Sequence, residues 1–416
     1  MFDSIIFLTD RYPYGNGESF IHNEIPYLLD ACKKIYIIPV NERNHTVSRL
    51  SENDRIVIWK GNRRSSVLSK VLKAPFQLLD KNVDRDLLQL KKYNNLNMEN
   101  LELVLYFSVE YQKVAKNVIR WLDGKIKGNE NILIYSYWLY NTAYVGCLLR
   151  EKYRSAYLIS RGHRFDIYLE RNKNNYLPLR EYILSNMDHV FPISDDGTLY
   201  LKKTYSFQRN IKTQRLGTVD YGLGPFTKKN MTYTIVSCSN IIPVKRCNKI
   251  VDILSCLDGF QIQWFHFGDG EEREKLIQYT QNKLSDNVSF HIDGAIPNSE
   301  LMDFYKNTQV DLFINVSDSE GIPVSMMEAL SFGIPVIATN VGGTSEIITD
   351  GVNGFLIEKD FEKDFVSKKI MEVFQDRSGL FRANARSGWM KHYSADANYR
   401  EFFKMVEGYA RERTKY

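Results

Sequence analysis

Two doubly wound, Rossmann-like α/β domains are the fold this sequence predicts, and three observations predict it. The chain has 416 residues, more than one hydrophobic core usually supports, so two domains of about 200 residues each are expected. Short β-rich apolar runs alternate with helical patterns along most of its length, the order that builds parallel sheets flanked by helices. The stretch "RLGTVDYGLGPFTKKNMT", 215–232, gathers glycine, proline and polar residues between periodic regions, which marks a linker.

The first domain, residues 1–222, opens with the strand "SIIFLT", a glycine-bearing loop "DRYPYGNGES" and the helical stretch "FIHNEIPYLLDACKK", after which "IYIIPV" reads as the next strand. "RIVIW", "ILIYSY", "AYLISRG" and "HVFPIS" are further strands, separated by helical patterns such as "TAYVGCLLREKY" and "DDGTLYLKKTYS". Residues 65–128 have a helical pattern, mixed charge and few strand signals, and read as a helical insertion. In the second domain, residues 223–390, the strands are "YTIVSCS", "IQWFHFG", "VSFHID", "DLFINVS", "IPVIAT" and "GFLI". Residues 391–416 read as a terminal helix crossing back to the first domain. Ligands of such a chain are expected in a central cleft, at the carboxyl ends of parallel strands.

Hydrophobic residues at 44% and charged residues at 25% are ordinary for a globular protein and exclude a disordered or fibrous one. A net charge of +5 is too small to imply nucleic acid. Cys32, Cys147, Cys238, Cys247 and Cys256 lie in apolar segments without C-x-x-C pairing, as suits a reducing cytoplasm. The N-terminus "MFDSIIFLTD" runs straight into a strand, and no apolar run is long enough to span a bilayer; the expected location is cytoplasmic. Residues 60–79, "KGNRRSSVLSKVLKAPFQLL", combine cations and large apolar residues with no acid. They suit either an anionic membrane surface or a solvated basic helix face, and both readings stay open here.

The chemistry concentrates in "SDSEGIPVSMMEALSFG", 317–333. Pro323 suits the first turn of a helix and Gly333 its end, and the apolar interval between them includes one carboxylate, Glu328. An ionised carboxylate in a buried helix needs strong hydrogen-bond donors, and a vicinal diol such as a ribose offers two. The preceding loop, with Glu320, would set backbone N–H groups at a helix N-terminus, where anionic oxygens bind. The competing reading is a structural ion pair for Glu328 and a surface position for Glu320. "PVIATNVGGTSEII" repeats the strand, glycine turn and helix start at Thr344, Ser345 and Glu346, where simple capping by Thr344 is the alternative. Lys245 and Arg246 in "CSNIIPVKRCNKI" would neutralise a diphosphate leaving group. "FGDGEEREKL" sets Gly268, Asp269 and Gly270 after the next strand, with Gly268 expected to border the donor and Asp269 to serve a tight strand-to-helix turn.

In the first domain, Gly15 and Gly17 of "YPYGNGESF" let backbone approach a phosphate or sugar, but the pattern is not G-x-G-x-x-G and disfavours a dehydrogenase. "ISRGHRFDIY" brings Arg161, His163, Arg164 and Asp166 to a strand's carboxyl end. No convincing D-x-D pair and no His/Cys cluster is present, so neither a metal nor another resident cofactor is expected.

Taken together these motifs resemble family 4 of the retaining, nucleotide-sugar-dependent glycosyltransferases with the GT-B fold (glycosyltransferase group 1 type). The match is strongest over 233–357, where Lys245, "FGDG", "DGAI", "SDSEGIPVSMMEA", "GIPVIAT", "GGTSE" and "DGVNGFLI" follow in the family's order. The resemblance implies that Glu320 lies beside the donor sugar's hydroxyls, that Glu328 holds the ribose and that Lys245 contacts the diphosphate. It also assigns Gly321, Ile322, Pro323 and Val324 to sugar and phosphates, and Gly294, Ala295 and Ile296 to the base. His163 would contact the transferring sugar, with Asp166 in the same donor-site loop and Gly15 to Gly17 near the diphosphate or acceptor. The chain departs from the family at Asn240, where an arginine is usual, and at Arg246, where a glycine is usual; Arg246 would then replace the lost charge.

The implied activity is metal-independent transfer of a sugar from a UDP- or GDP-type donor to a hydroxyl of a glycan or lipid-linked acceptor, as in capsule, O-antigen or other surface polysaccharide assembly. The expected path is a front-face reaction with retained anomeric configuration, the leaving phosphate accepting the acceptor's proton. A nucleotide-sugar epimerase or a phosphorylase on the same architecture, or a non-catalytic sugar-nucleotide-binding subunit, are the alternatives.

Overall fold

A computed structural model describes residues 1–15, 17–41, 48–61, 65–205, 210–227 and 232–413. The chain divides into two compact units, Met1–Gln214 with Tyr399–Tyr416, and Arg215–Asn398.

In the first unit, strands Phe2–Thr9 (β1), Cys32–Pro39 (β2), Ile56–Ile58 (β3), Ile132–Ser136 (β4), Tyr157–Gly162 (β5) and His189–Pro192 (β6) form one parallel sheet, ordered β3-β2-β1-β4-β5-β6. Its helices are Ile25–Ala31 (α1), Val67–Gln77 (α2), Lys81–Lys92 (α3), Met98–Leu122 (α4), Asn141–Lys152 (α5), Arg180–Asn186 (α6) and Asp195–Thr204 (α7). The central strands β1 and β4 are mostly apolar and buried almost throughout because both faces are covered. The helix expected over 20–34 stops at Ala31, since pairing of Cys32 with Phe2 draws Cys32, Lys33 and Lys34 into β2. The insertion is three helices. Val104, Phe107, Val114, Val118 and Leu122 bury one stripe of α4 at helical spacing, and Asn97 caps it by accepting from the amide of Asn100 at 2.9 Å.

In the second unit, Thr232–Cys238 (β7), Gln261–Phe267 (β8), Val288–Gly294 (β9), Leu312–Asn315 (β10), Val336–Thr339 (β11) and Gly354–Ile357 (β12) form a second parallel sheet, ordered β12-β11-β10-β7-β8-β9. Cys247–Leu254 (α8), Arg273–Lys283 (α9), Asn298–Asn307 (α10), Val324–Ser331 (α11), Thr344–Ile347 (α12), Lys363–Phe374 (α13) and Leu380–His392 (α14) accompany it, and Ala395–Arg413 (α15) ends the described chain. A core of Ile235, Trp264, Leu312, Ile314 and Ile337 with Ile250, Leu254 and Ile370 sits between sheet and helices.

The division falls at Gln214/Arg215, ahead of the 222/223 boundary expected from glycine content. Arg215 pairs with Glu346 at 2.9 Å, and Thr218 exchanges backbone hydrogen bonds with Tyr393 and Ala395. The linker's first half is thus strapped to the second unit. Residues 391–398 also stay there, and the chain joins the first unit from Tyr399 onward, where Glu407 meets the N-terminal ammonium at 2.9 Å and Arg413 meets Asp188 at 2.9 Å.

Each sheet has the order 3-2-1-4-5-6 that opens a crevice where the strand sequence reverses. Those points are β1/β4 in one unit and β7/β10 in the other. The loops leaving these strands carry the residues of interest.

Candidate functional site

In the second unit the loops after β7 and β10 meet. The amide of Asp318 donates to the carbonyl of Val244 at 2.8 Å, and Lys245 Nζ lies 2.6 Å from Glu320 Oε1. Asn315, the last residue of β10, donates from Nδ2 to the same oxygen at 3.1 Å while its Oδ1 accepts from the amide of Ser317 at 3.0 Å. Glu320 is buried; it is not the surface acid of the alternative reading. Its second oxygen takes no hydrogen bond among the described residues.

The glycine pair after β11 holds this loop from behind. Gly342 has φ +56°, and a Cβ there would lie 2.0 Å from the carbonyl oxygen of Glu320; Gly343 donates its amide to Gly321 at 2.9 Å. The amide-rich turn over Gly321 and Ile322 is therefore fixed, and Pro323 sits just ahead of the first helical residue, Val324. Burial of Met326, Met327, Ala329 and Leu330 anchors α11, and Gly333 ends it at φ +76°.

Glu328 is buried on α11, and its partner is Asn298, whose Nδ2 donates to Oε1 at 2.9 Å. No cation pairs with it among the described residues. Burial pushes its carboxyl up to about 7, against the opposing pull of the Asn298 hydrogen bond. Asn298 opens α10 just beyond Gly294, Ala295 and Ile296, so the loop after β9 and the Glu328 carboxylate are joined.

The other motif residues have local duties. Gly268, at φ +154°, and Gly270 lie so close to the backbone of Ser239 and Ile241 that a Cβ would come within 1.8 and 2.2 Å of their oxygens. Asp269 accepts the amides of Ile241, on its carbonyl, and Gly270, on Oδ1, which is turn chemistry. Arg246 takes a left-handed backbone at φ 50° and binds Asp318 at 2.9 Å and the carbonyls of Val316 and Lys359 at 2.7 and 3.0 Å. Its charge is already engaged within the loop; Asn240 is exposed. Thr344 donates to the carbonyl of Val341 at 2.6 Å rather than capping α12.

The first unit gathers a separate cluster. Glu18, itself at φ 57°, accepts from the amides of Asp10, Arg11 and Tyr12 at 3.1, 2.8 and 2.7 Å and from Trp138 Nε1 at 2.5 Å. It thereby ties the Gly15–Gly17 loop across the β1/β4 reversal; Asn16 lies outside the described residues. His163 is buried against Trp138, Tyr137 and Phe20, with ring centroids 4.3, 4.9 and 6.1 Å away. Neither ring nitrogen has a hydrogen-bond partner among the described residues. Asp166 is fully buried and accepts the amides of His163 and Leu139, each at 2.7 Å, so it shapes the loop that presents His163. Arg161 does not reach a strand-end edge: it is fully buried, bound to Tyr135 at 2.5 Å and Glu24 at 3.4 Å and packed on Phe402.

Glu18, Trp138, Asn298 and Asn315 are absent from the residues expected from sequence. Asn315 left a trace, a polar residue ending the apolar run "DLFIN". Glu18 and Asn298 left none, since an acid after a glycine loop and an asparagine at a helix start are commonplace. Among the described residues no group of three or more His, Cys, Asp or Glu is arranged to hold a metal, and no helix is long and apolar enough to cross a membrane.

The two parallel sheets with these strand-end loops define a GT-B fold. The chain aligns with the crystal structure of Anabaena HepE in complex with UDP and glucose at a TM-score of 0.62 and 16% identity, covering 98% of this chain and 100% of that one. The family model "Glycosyl transferases group 1" matches residues 225–388, a range that lies within the second unit. The chain is 25% identical over 308 residues to an uncharacterized glycosyltransferase of Methanocaldococcus jannaschii, across 68% of this chain and 77% of that protein. It is also 29% identical over 148 residues to the O-antigen biosynthesis glycosyltransferase WbnH of Escherichia coli, across 36% of this chain and 39% of that one. This second match spans less than half of the relative's length.

Proposed function

We propose that the protein transfers a sugar from a nucleoside diphosphate sugar to a hydroxyl of a glycan or lipid-linked acceptor during surface polysaccharide assembly. The observation that carries this reading is Glu328: a buried carboxylate with one neutral partner and no cation among the described residues, suited to a diol with two donors. Glu320 and Lys245, paired at the start of α11, accompany it. In this reading the diol is the donor's ribose, the amides of Gly321 and Ile322 with Lys245 receive the diphosphate, and Glu320 faces the sugar. The O-antigen relative and the UDP- and glucose-bound neighbour support the substrate class.

Charge develops on the leaving diphosphate as the glycosidic bond breaks, and a fixed ammonium and aligned amides stabilise it without reorganising. The sugar's anomeric configuration is retained, with the leaving phosphate taking the acceptor's proton on the same face. Lys245 and the helix N-terminus carry the charge that a divalent cation would otherwise carry, so the reaction runs in EDTA.

Incubating purified protein with a panel of UDP- and GDP-sugars, with and without EDTA, tests this. Release of nucleoside diphosphate from one donor, unchanged by EDTA, is expected. Isomerisation of the donor without acceptor would assign an epimerase, and tight binding with no turnover of any donor would assign a binding subunit.

A further inference from the structure

Helix α2 is built inside out. A helix on a globular protein normally turns its apolar stripe inward, yet the side of α2 that meets α4 is largely polar. Ala74 is buried there, Lys70 Nζ sits 3.1 Å from Glu110 Oε2, and Gln77 Nε2 donates to Gln112 Oε1 at 3.2 Å. The other side, with the residue pair that follows the helix, displays Val67, Leu68, Val71, Leu72, Phe76 and Leu79, each between 48% and 82% exposed. Single exposed apolar residues are ordinary; a contiguous group on one short helix marks an interaction surface.

Charge selects the occupant. Between residues 60 and 79 the sequence has Lys60, Arg63, Arg64, Lys70 and Lys73 and no acid; Arg63 and Arg64 lie outside the described residues. Lys70 is already paired with Glu110, but Lys60 and Lys73 are exposed; a second copy seated face to face would set these cations against their own kind, and burying unpaired charge is costly. An anionic bilayer meets both needs, because the apolar side chains enter the boundary of the acyl chains while the cations stay among the headgroups.

We propose that α2, through its exposed apolar side and the flanking cations Lys60 and Lys73, docks the protein on an anionic lipid surface. This goes beyond the donor chemistry and does not depend on it. The test is flotation of the full chain with vesicles of phosphatidylcholine alone and of equal parts phosphatidylcholine and phosphatidylglycerol. Binding to the anionic vesicles is expected, with a loss of about tenfold or more in Leu68→Ser/Leu72→Ser/Phe76→Ser and in Lys60→Glu/Arg63→Glu/Arg64→Glu. Because those variants change several residues, Phe76→Trp gives a milder reading: its emission shifts to the blue on anionic vesicles and is quenched by brominated acyl chains. No binding to anionic vesicles, equal binding to neutral ones, binding untouched by both triple variants, or no quenching in Phe76→Trp beyond that of the natural chain with its five tryptophans each overturns the proposal. Self-association abolished by the apolar triple variant, with no vesicle binding, would overturn it in favour of a second copy.

Discussion

At the scale of single residues, the two glutamates of one segment have opposite surroundings. Glu320 has a lysine at 2.6 Å, while Glu328 has an asparagine at 2.9 Å and a carboxyl pushed up to about 7. A diol favours the ionised form, so donor affinity should fall as pH drops below 7, approaching tenfold per pH unit; calorimetry across pH checks this, and Glu328→Gln should flatten the profile. The folded value stands above the ordinary 4.5. Between those values the folded chain keeps a proton that the unfolded chain has lost, so this group's contribution to stability declines as pH rises through that window. Lys245→Ala should lower donor turnover by about 10²-fold, measured as nucleoside diphosphate release. Asn315→Ala should act through Glu320 and lower kcat, whereas Asn315→Asp would set a second acid against that carboxylate and lower it further.

At the scale of elements, the glycine pair after β11 is a brace for the loop that carries Glu320. Gly342→Ala places a Cβ against the Glu320 carbonyl in a left-handed conformation and should cost about 2 kcal/mol; Gly17→Ala, which meets nothing within 4 Å, should leave the melting temperature nearly unchanged. Strands were legible because apolar runs of parallel sheets are long and bounded by turns. The fate of "DACKK" was not, since helix propensity there is overridden by pairing with β1. Within the site, the sequence motifs point to the acids and the lysine, but not to the neutral partners that set their charge states. A hydrogen bond from Asn298 to Glu328, 30 positions away, has no signature in local pattern. Arg161 misleads for the same reason: charge suggests an edge, and only the tertiary partners Glu24, Tyr135 and Phe402 place it in the core.

At the scale of the whole molecule, the same strand order recurs in two units, and each reversal point gathers a different set of polar groups. The second unit holds the charged pair and an acid whose partner is the neutral Asn298; the first holds a histidine beneath aromatic rings whose two nitrogens have no hydrogen-bond partner among the described residues. The chain returns to the first unit only after Asn398, where Glu407 and Arg413 find their partners. The division falls at Gln214/Arg215 because Arg215 and Thr218 find partners in the second unit, contacts that linker composition does not encode. The most direct test of the donor reading is calorimetric binding of UDP and GDP beside their 2′,3′-dideoxy analogues, to the natural chain and to Glu328→Gln. The expected result is binding of one nucleotide, weakened about tenfold or more by loss of the diol in the natural chain and little changed by it in Glu328→Gln. Equal affinity of the natural chain for the nucleotide and its dideoxy analogue would contradict it.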